Sequence, residues 1–390
     1  MIPFGYLDSS RKGLFFQAIM KTLFFFGTRP EAIKMAPLIH EFQKRSEGVD
    51  ELKICVTAQH REMLDQVLEF FAIQPDFDLD IMRPNQSLFD VTGKALRGLH
   101  EVFNAYKPDW LFVQGDTTTT FVGALAAFYE KVRVAHIEAG LRSFDKHSPF
   151  PEEMNRVLTT RLADIHFSPT PKAKENLLQE GVPEDKIFVV GNTSIDALFL
   201  CLNRISEKAV DDFESLKQVN FRKKILLVTG HRRESFGKPF ENICRAIQTI
   251  ARLEDIEVVY PVHLNPQVRK PVLSILKNIP NVHLIDPLNY PSFVWLMHKS
   301  YVILTDSGGV QEEAPSLGKP VLVMREVTER VEGVEAGTAK IVGTDAEKII
   351  GETLTLLRNP AVYDTMAKAA NPYGDGKSSQ RIFDIIRSVP

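Results

Sequence analysis

The 390-residue chain carries 47 Lys and Arg against 50 Asp and Glu, a formal net charge of −3, with 44% hydrophobic and 25% charged residues. Both signs are interspersed and no basic run stands out, which excludes an electrostatic case for nucleic acid, and no stretch reaches the roughly 18 apolar residues of a membrane span. The length exceeds one ordinary core and predicts two domains, while three widely spaced cysteines (Cys55, Cys201, Cys244), none in a CxxC, read as reduced structural thiols of a cytoplasmic protein.

The opening residues lack an apolar segment with a small-residue cleavage site, so they do not read as a secretory signal. "MKTLFFFG" at 20–27 looks like a natural start with a first strand, and residues 1–19 are expected to be an extension outside the fold. From there short apolar runs alternate with helix-sized stretches. "TLFFFG", "LKICVTA", "DWLFVQG", "VRVAHI", "DIHFSP" and "IFVVG" are predicted strands, separated by segments such as "PEAIKMAPLIHEFQKR" and "TTTTFVGALAAFYEK". Runs that are apolar throughout, rather than alternating, predict parallel strands buried on both faces.

A polar stretch from about Asn203 to Arg222 shows no strand signal, and then the pattern restarts with "KKILLVTG", "IEVVYPV", "VHLI", "YVILTDSGG" and "KPVLVM". The fold class predicted is α/β, with two Rossmann-like domains facing across a cleft. The domains are placed at 20–192 and 193–374, and a last helix within 375–390 is free to pack back on the first domain.

Ligands of open parallel sheets bind beyond the carboxyl ends of the strands, so polar residues there are the candidates. After the first strand, "GTRPEAIK" supplies a turn glycine, a proline suited to the first helical position, and two cations, Arg29 and Lys34. With the helix amides these make a positive site for phosphate or an acidic transition state. After the third strand, "GDTTTT" places Asp116 at the start of a helix, where an ordinary cap is the plain alternative. After the fourth, "HIEAGLRS" puts Glu138 where the chain leaves the sheet. "HSPFPEEMNR" then brings Glu152 and Glu153 into the first turn of a helix, where the dipole favours acids. Asp116, Glu138 and Glu152 gathered at one sheet edge would repel without a purpose, and clustered carboxylates are what proton transfer to and from carbon requires.

The second set of strands carries different groups. "LLVTGHRRES" sets His231, Arg232 and Arg233 at a strand end, a pattern fit for phosphate contact. "LTDSGGVQEEAPSLG" opens a helix at Ser307-Gly308-Gly309, where bare backbone amides approach a phosphate closely, and Glu313 lies about one turn on, within reach of ribose hydroxyls. No GxGxxG, complete P-loop GxxxxGK[ST], HExxH or Cys/His metal spacing occurs, so nicotinamide, flavin and metal are not expected. A nucleotide sugar in the cleft satisfies both halves.

These residues also lie in a series of longer motifs: "FGTRPEAIKMAPL", "TAQHREMLDQ", "GDTTTT", "EAGLRS", "SPFPEEMNR", "FSPT", "GNTSIDAL", "VTGHRRESFG", "YPVHLNP", "LTDSGGVQEEAPSLGKPVLVMRE" and "NPYGDG". From Met20 to about Arg387 the chain resembles the non-hydrolysing UDP-N-acetylglucosamine 2-epimerases, enzymes of the two-domain glycosyltransferase-B fold. The resemblance implies interconversion of UDP-GlcNAc and UDP-ManNAc, by anti elimination of UDP to a 2-acetamidoglucal and re-addition of UDP. It implies Asp116, Glu138 and Glu152 as acid/base carboxylates with Lys34 and His231 among the catalytic groups. Arg29, His231, Ser307, Gly308, Gly309 and Glu313 would hold UDP, and the Phe293 backbone would meet the uracil. Gln59, Gln66, Arg232 and His263 match a second UDP-GlcNAc site that activates bacterial members. A homodimer, no metal, no redox cofactor and a part in supplying ManNAc for cell-surface polysaccharide are implied as well.

Two departures from the family pattern stand out: Gln114 where a histidine is common, and Val331 at a proline position. Which carboxylate removes and which returns the proton is left open, since the roles exchange with direction. A glycosyltransferase of the same fold, a hydrolysing epimerase and a non-catalytic sugar-nucleotide sensor are the competing readings.

Overall fold

The computed structural model describes residues 19–46, 50–58, 61–83, 86–205 and 216–389. The expected extension at 1–19 therefore lies, apart from Ile19, outside the described residues, as do Gln59 and positions 206–215 of the polar stretch.

Two wholly parallel sheets organise the chain. The first has seven strands, β1 (Lys21–Phe26), β2 (Glu51–Val56), β3 (Phe77–Asp78), β4 (Trp110–Gln114), β5 (Arg133–Ile137), β6 (Ile165–Ser168) and β7 (Ile187–Val189), in the order β3-β2-β1-β4-β5-β6-β7. The second has six, β8 (Lys224–Thr229), β9 (Ile256–Pro261), β10 (Val282–Ile285), β11 (Val302–Thr305), β12 (Val321–Val323) and β13 (Ala339–Ile341), in the order β10-β9-β8-β11-β12-β13. Helices cover both faces, which is why Leu23, Phe24, Phe25 and Phe26 are all 0% exposed although they point alternately up and down. Two strands escape the sequence reading, β3 and β13, with only two and three residues at sheet edges. Runs that short carry no apolar pattern of their own. Among the described residues no helix is long and apolar enough to cross a membrane.

The strand order reverses between β1 and β4 and again between β8 and β11. At such a switch point the connecting helices depart to opposite faces and leave a crevice beyond the strand ends. In the first sheet the crevice is bordered by Gly27–Arg29 and Gly115–Asp116; in the second, by Gly230–His231 and Asp306–Ser307.

The helix Ser378–Ser388 packs against the helix Arg29–Arg45, which covers the first sheet. Phe383 meets Phe42 edge-on at 4.8 Å between ring centroids, and Phe42 in turn meets Phe24 and Phe112 at 5.3 and 5.1 Å. Each such pair adds about 0.5–1.5 kcal/mol beyond its buried area. Arg387 pairs with the buried Asp50 at 2.9 Å, tying the far end of this helix to the same lobe. The polypeptide passes between the lobes at two adjacent points: the Asn192 amide donates to the Tyr373 carbonyl at 2.7 Å, and Asp196 accepts from the amides of Ser378 and Ser379. The three cysteines are all buried and unpaired.

Candidate active site

The first crevice is built on close approach. A Cβ on Gly27 would lie 1.8 Å from Thr57 Oγ1 and 2.8 Å from Thr119 Oγ1, so only glycine lets β1 turn here. The chain then enters the helix Arg29–Arg45 with Pro30 in its first turn. Arg29 makes no ion pair or side-chain hydrogen bond among the described residues, and burial pulls its pKa down. It is a cation held ready without a protein anion.

One turn further, Lys34 Nζ donates to Glu138 Oε2. Glu138 directly follows β5, is buried, and sits at φ +63°, in the left-handed region that costs a non-glycine residue about 1–3 kcal/mol. Such strain at a strand end is common where a side chain must be aimed. Burial opposes the charge on both partners, yet their mutual attraction prevails. It holds Glu138 below the ordinary carboxyl range and Lys34 above the ordinary ammonium range.

Asp116 is gripped by Arg156, whose Nε and Nη2 lie 2.8 and 2.7 Å from Oδ2, while Asn155 Nδ2 donates to the Asp116 carbonyl at 2.9 Å. The four threonines divide their work. Thr117 caps the helix Thr118–Glu130 by accepting from the Thr120 amide at 3.1 Å, and Thr119 lies 3.2 Å from Thr57. His136 Nε2 lies 2.7 Å from the Gly115 carbonyl, and burial pushes its pKa down to about 4, so at neutral pH the ring is neutral and donates there.

The paired acids at the start of the helix Glu152–Leu162 part company. Glu153 is buried, accepts from the amides of Ser143 and Phe144 at 3.0 Å each, and pairs with Arg156 at 2.9 Å. It is a scaffold acid. Glu152 makes no ion pair or side-chain hydrogen bond among the described residues. It lies four residues before Arg156, on the same helix face, so the grip on Asp116 ties the two acids to one corner.

In the second crevice Asp306 organises the loop after β8. Its Oδ2 accepts from the amides of His231 and Arg232 at 2.6 and 2.8 Å, and Oδ1 lies 3.2 Å from His231 Nδ1. His231 stacks on His263 at 5.4 Å between ring centroids. Arg232 Nε is buried without a hydrogen-bond partner. The "EE" pair divides here too. Glu312 is buried, accepting from Arg330 Nε at 2.8 Å and Asn192 Nδ2 at 3.1 Å. Glu313 faces the cleft; burial first and the Glu312 charge second push its pKa up to about 8.

Both crevices open into shared space. One cavity of about 340 Å³ is lined by Arg29, Lys34, Phe293, Ser307, Gly309, Glu313 and Arg330 among others. A second, of about 240 Å³, adds His231 and His263 while sharing Arg29, Phe293 and Ser307. A third, of about 340 Å³, places Gln66 beside Arg29 and Tyr290. The structure thus joins Arg29, Lys34, His231, Phe293, Ser307, Gly309 and Glu313 around one cleft, with Gly308 next to them and its Cβ position 3.3 Å from Arg330. Glu138 reaches the cleft through Lys34, whereas Asp116 and Glu152 are not among the walls of these cavities. The Phe293 amide donates to the Asn289 carbonyl at 3.0 Å, inside its helix.

Sequence reasoning passed over Arg156, Glu312, Arg330 and Tyr290. The two arginines were legible only as charges, because their partners lie 40 and 18 residues away. Of the departures, Gln114 is buried with Nε2 unpartnered, and its carbonyl accepts from Thr120 Oγ1 at 2.6 Å. Val331 is half exposed and opens the helix Val331–Glu335 directly after Arg330.

The arrangement offers one unpaired cation, Arg29, beside the ion-paired Lys34 and Arg330 in a shared cleft, and carboxylates with different environments on the first sheet. Comparison with known proteins agrees with it. A family model described as UDP-N-acetylglucosamine 2-epimerase matches residues 42–387. The UDP-N-acetylglucosamine 2-epimerase of Salmonella typhimurium is 54% identical over 373 residues, spanning 95% of this chain and 99% of that protein. The crystal structure of the Neisseria meningitidis UDP-GlcNAc 2-epimerase bound to UDP-GlcNAc superposes with a TM-score of 0.84 at 50% identity, over 94% of this chain and 99% of that one. The kitacinnamycin glycotransferase, at 14% identity and a TM-score of 0.64 over 95% of this chain and 100% of that one, shares the two-domain glycosyltransferase-B fold alone.

Proposed function

The chain belongs to the UDP-N-acetylglucosamine 2-epimerase family, and from that premise we propose that it reversibly inverts C2 of UDP-GlcNAc to give UDP-ManNAc. The observation that carries this reading is the cavity walled jointly by Arg29 and Lys34 of one lobe and Ser307, Gly309 and Glu313 of the other. A nucleotide diphosphate spanning it would leave the sugar facing Lys34 and the carboxylate that Lys34 holds.

In this reading one carboxylate of the set Asp116, Glu138 and Glu152 removes the C2 proton. The C–H electron pair becomes the C1=C2 double bond, and the C1–O bond breaks with its electrons leaving on UDP. Arg29, Arg330 and His231 take up the charge on the departing diphosphate. The 2-acetamidoglucal is then protonated at C2 from the opposite face and UDP re-adds at C1. The two proton-transfer roles exchange with direction. Glu138 is suited to a proton-accepting role, because Lys34 keeps it ionised. No metal or redox cofactor enters this scheme.

The same reading assigns Gln66, Arg232 and His263, with Gln59 outside the described residues, to an activating UDP-GlcNAc. The cavity beside Gln66 shares Arg29 with the cleft, which supports communication between the two. A cytoplasmic homodimer supplying ManNAc for cell-surface polysaccharide completes the proposal.

Proton NMR of UDP-GlcNAc incubated with the enzyme in D2O tests it. UDP-ManNAc carrying deuterium at C2, with no free ManNAc, is the expected result. Stoichiometric free ManNAc and UDP would move the chain to the hydrolysing class, and turnover only with an added acceptor would make it a transferase.

A further inference from the structure

Glu31 is a buried acid to which the reaction assigns no work. It is 1% exposed, and no cation pairs with it among the described residues. Its Oε2 accepts from the backbone amides of Gly27 at 3.0 Å and Thr28 at 2.7 Å, on the turn that leads into Arg29 and Lys34. Its Oε1 accepts from the Thr117 hydroxyl at 2.6 Å, on the turn that begins with Asp116, and Thr120 Oγ1 lies 3.1 Å away with its one hydrogen on the Gln114 carbonyl at 2.6 Å. An acid at the third position of a helix ordinarily returns to its own cap and stays solvated. Nothing in capping asks it to be buried, or to reach a turn 86 residues away on the neighbouring strand. Burying a carboxylate without a cation is unfavourable and raises its pKa, and three donors converging on it oppose that cost.

We propose that Glu31 is a positioning residue: its carboxylate straps the Gly27–Thr28 turn to the Thr117–Thr120 turn across the β1–β4 switch point, setting Arg29 and Lys34 against Asp116. The inference rests on the reading of Asp116 as a catalytic group.

The Glu31→Gln variant discriminates, because its two ends are unlike. The backbone amides of Gly27 and Thr28 can only donate, so the glutamine oxygen must stay with them and that turn keeps its anchor. The new NH2 then faces the threonine hydroxyls. Thr120 can still donate to the Gln114 carbonyl, but the Thr117 hydroxyl loses its acceptor, so the disturbance falls beside Asp116.

The experiment measures UDP affinity by calorimetry, and kcat and KM for UDP-GlcNAc, in Glu31→Gln, Asp116→Asn and the double variant. Expected are UDP affinity and KM within threefold of wild type and kcat at least tenfold lower. On the Asp116→Asn background the same change should cost less than threefold more, because a strap has nothing left to position. A loss carried by KM, or losses that multiply in the double variant, would overturn the proposal. A wild-type rate in Asp116→Asn alone removes its premise, and so reports failure of the underlying reading rather than of the strap. Should Glu31→Gln not fold, Thr117→Val, which deletes the hydroxyl that donates to the strap, is read in the same cycle.

Discussion

Replacing Lys34 by methionine keeps the aliphatic stem and removes only the ammonium. Glu138, with its side chain 8% exposed, then loses the charge that holds it ionised and keeps only the weaker influences of Arg330 and the Asn192 side chain. Breaking one side of a buried pair costs about 3–5 kcal/mol, and because Lys34 is itself 18% exposed the lower figure, about 3 kcal/mol, applies. In a domain of roughly 150–250 residues that corresponds to a drop of about 6–12 °C in melting temperature. The pH dependence gives the decisive signature. In the wild type Glu138 has a depressed pKa, so the pair contributes its stability above the ordinary glutamate range and loses it as pH falls through the depressed value. Without Lys34, burial prevails and raises the Glu138 pKa above the ordinary value. The variant therefore recovers as pH falls through that raised value and the carboxyl becomes neutral. Thermal melts of both proteins at pH 8 and pH 5 should show a wide gap that narrows on acidification. A gap of the same size at both values, or one under about 1 °C at pH 8, would refute the argument that this pair is desolvated.

Asp116→Asn, Glu138→Gln and Glu152→Gln should each fold yet lower C2 exchange by about a hundredfold or more, the size of a lost proton-transfer group, and near wild-type exchange in all three would sink the carboxylate assignment. Gly27→Ala brings a methyl group against Thr57 and Thr119 and should cost about 1–3 kcal/mol in urea denaturation; an unchanged midpoint would mean that the crevice gives way. UDP binding should weaken as pH rises through about 8, because Glu313 is neutral below that value and a negative neighbour of the diphosphate above it. Calorimetry at pH 7 and pH 9 reads this directly, and Glu313→Gln should lose the dependence while keeping the neutral-pH affinity.

Much of the architecture was legible because buried parallel strands must be apolar on both faces. The "TLFFFG" run could be neither a loop nor a half-exposed strand, and the rule that ligands sit beyond strand ends then pointed to Arg29, Asp116 and His231. What stayed hidden depends on contacts between distant segments. Glu152 and Glu153 are adjacent and chemically alike, yet one is free and the other is held by two amides and Arg156. The same holds for Glu312 and Glu313. A helical turn points neighbours about 100° apart, and what each then meets is set by elements far away in the chain. Glu31 is the strongest case. Its position three residues after Thr28 announces a cap, whereas its reach to Thr117 is visible only once β1 and β4 lie side by side.

The docking of Ser378–Ser388 on the first lobe bears on how the molecule is made. Ile382, Phe383 and Ile386 are buried in the core that also holds Phe24, Phe42 and Phe112. Between Val189, the end of β7, and Ser378 lie roughly 190 residues, which a ribosome adding about 5–20 residues per second needs roughly 10–38 s to deliver. Throughout that interval the first lobe has its seven strands but lacks the helix that seals one side of the Arg29–Arg45 helix. The second lobe, contained between the two crossings, can close on itself beforehand. In a nascent chain the lobe encoded later is therefore finished first, and the exposed aromatic face of the earlier lobe is the surface a chaperone would meet.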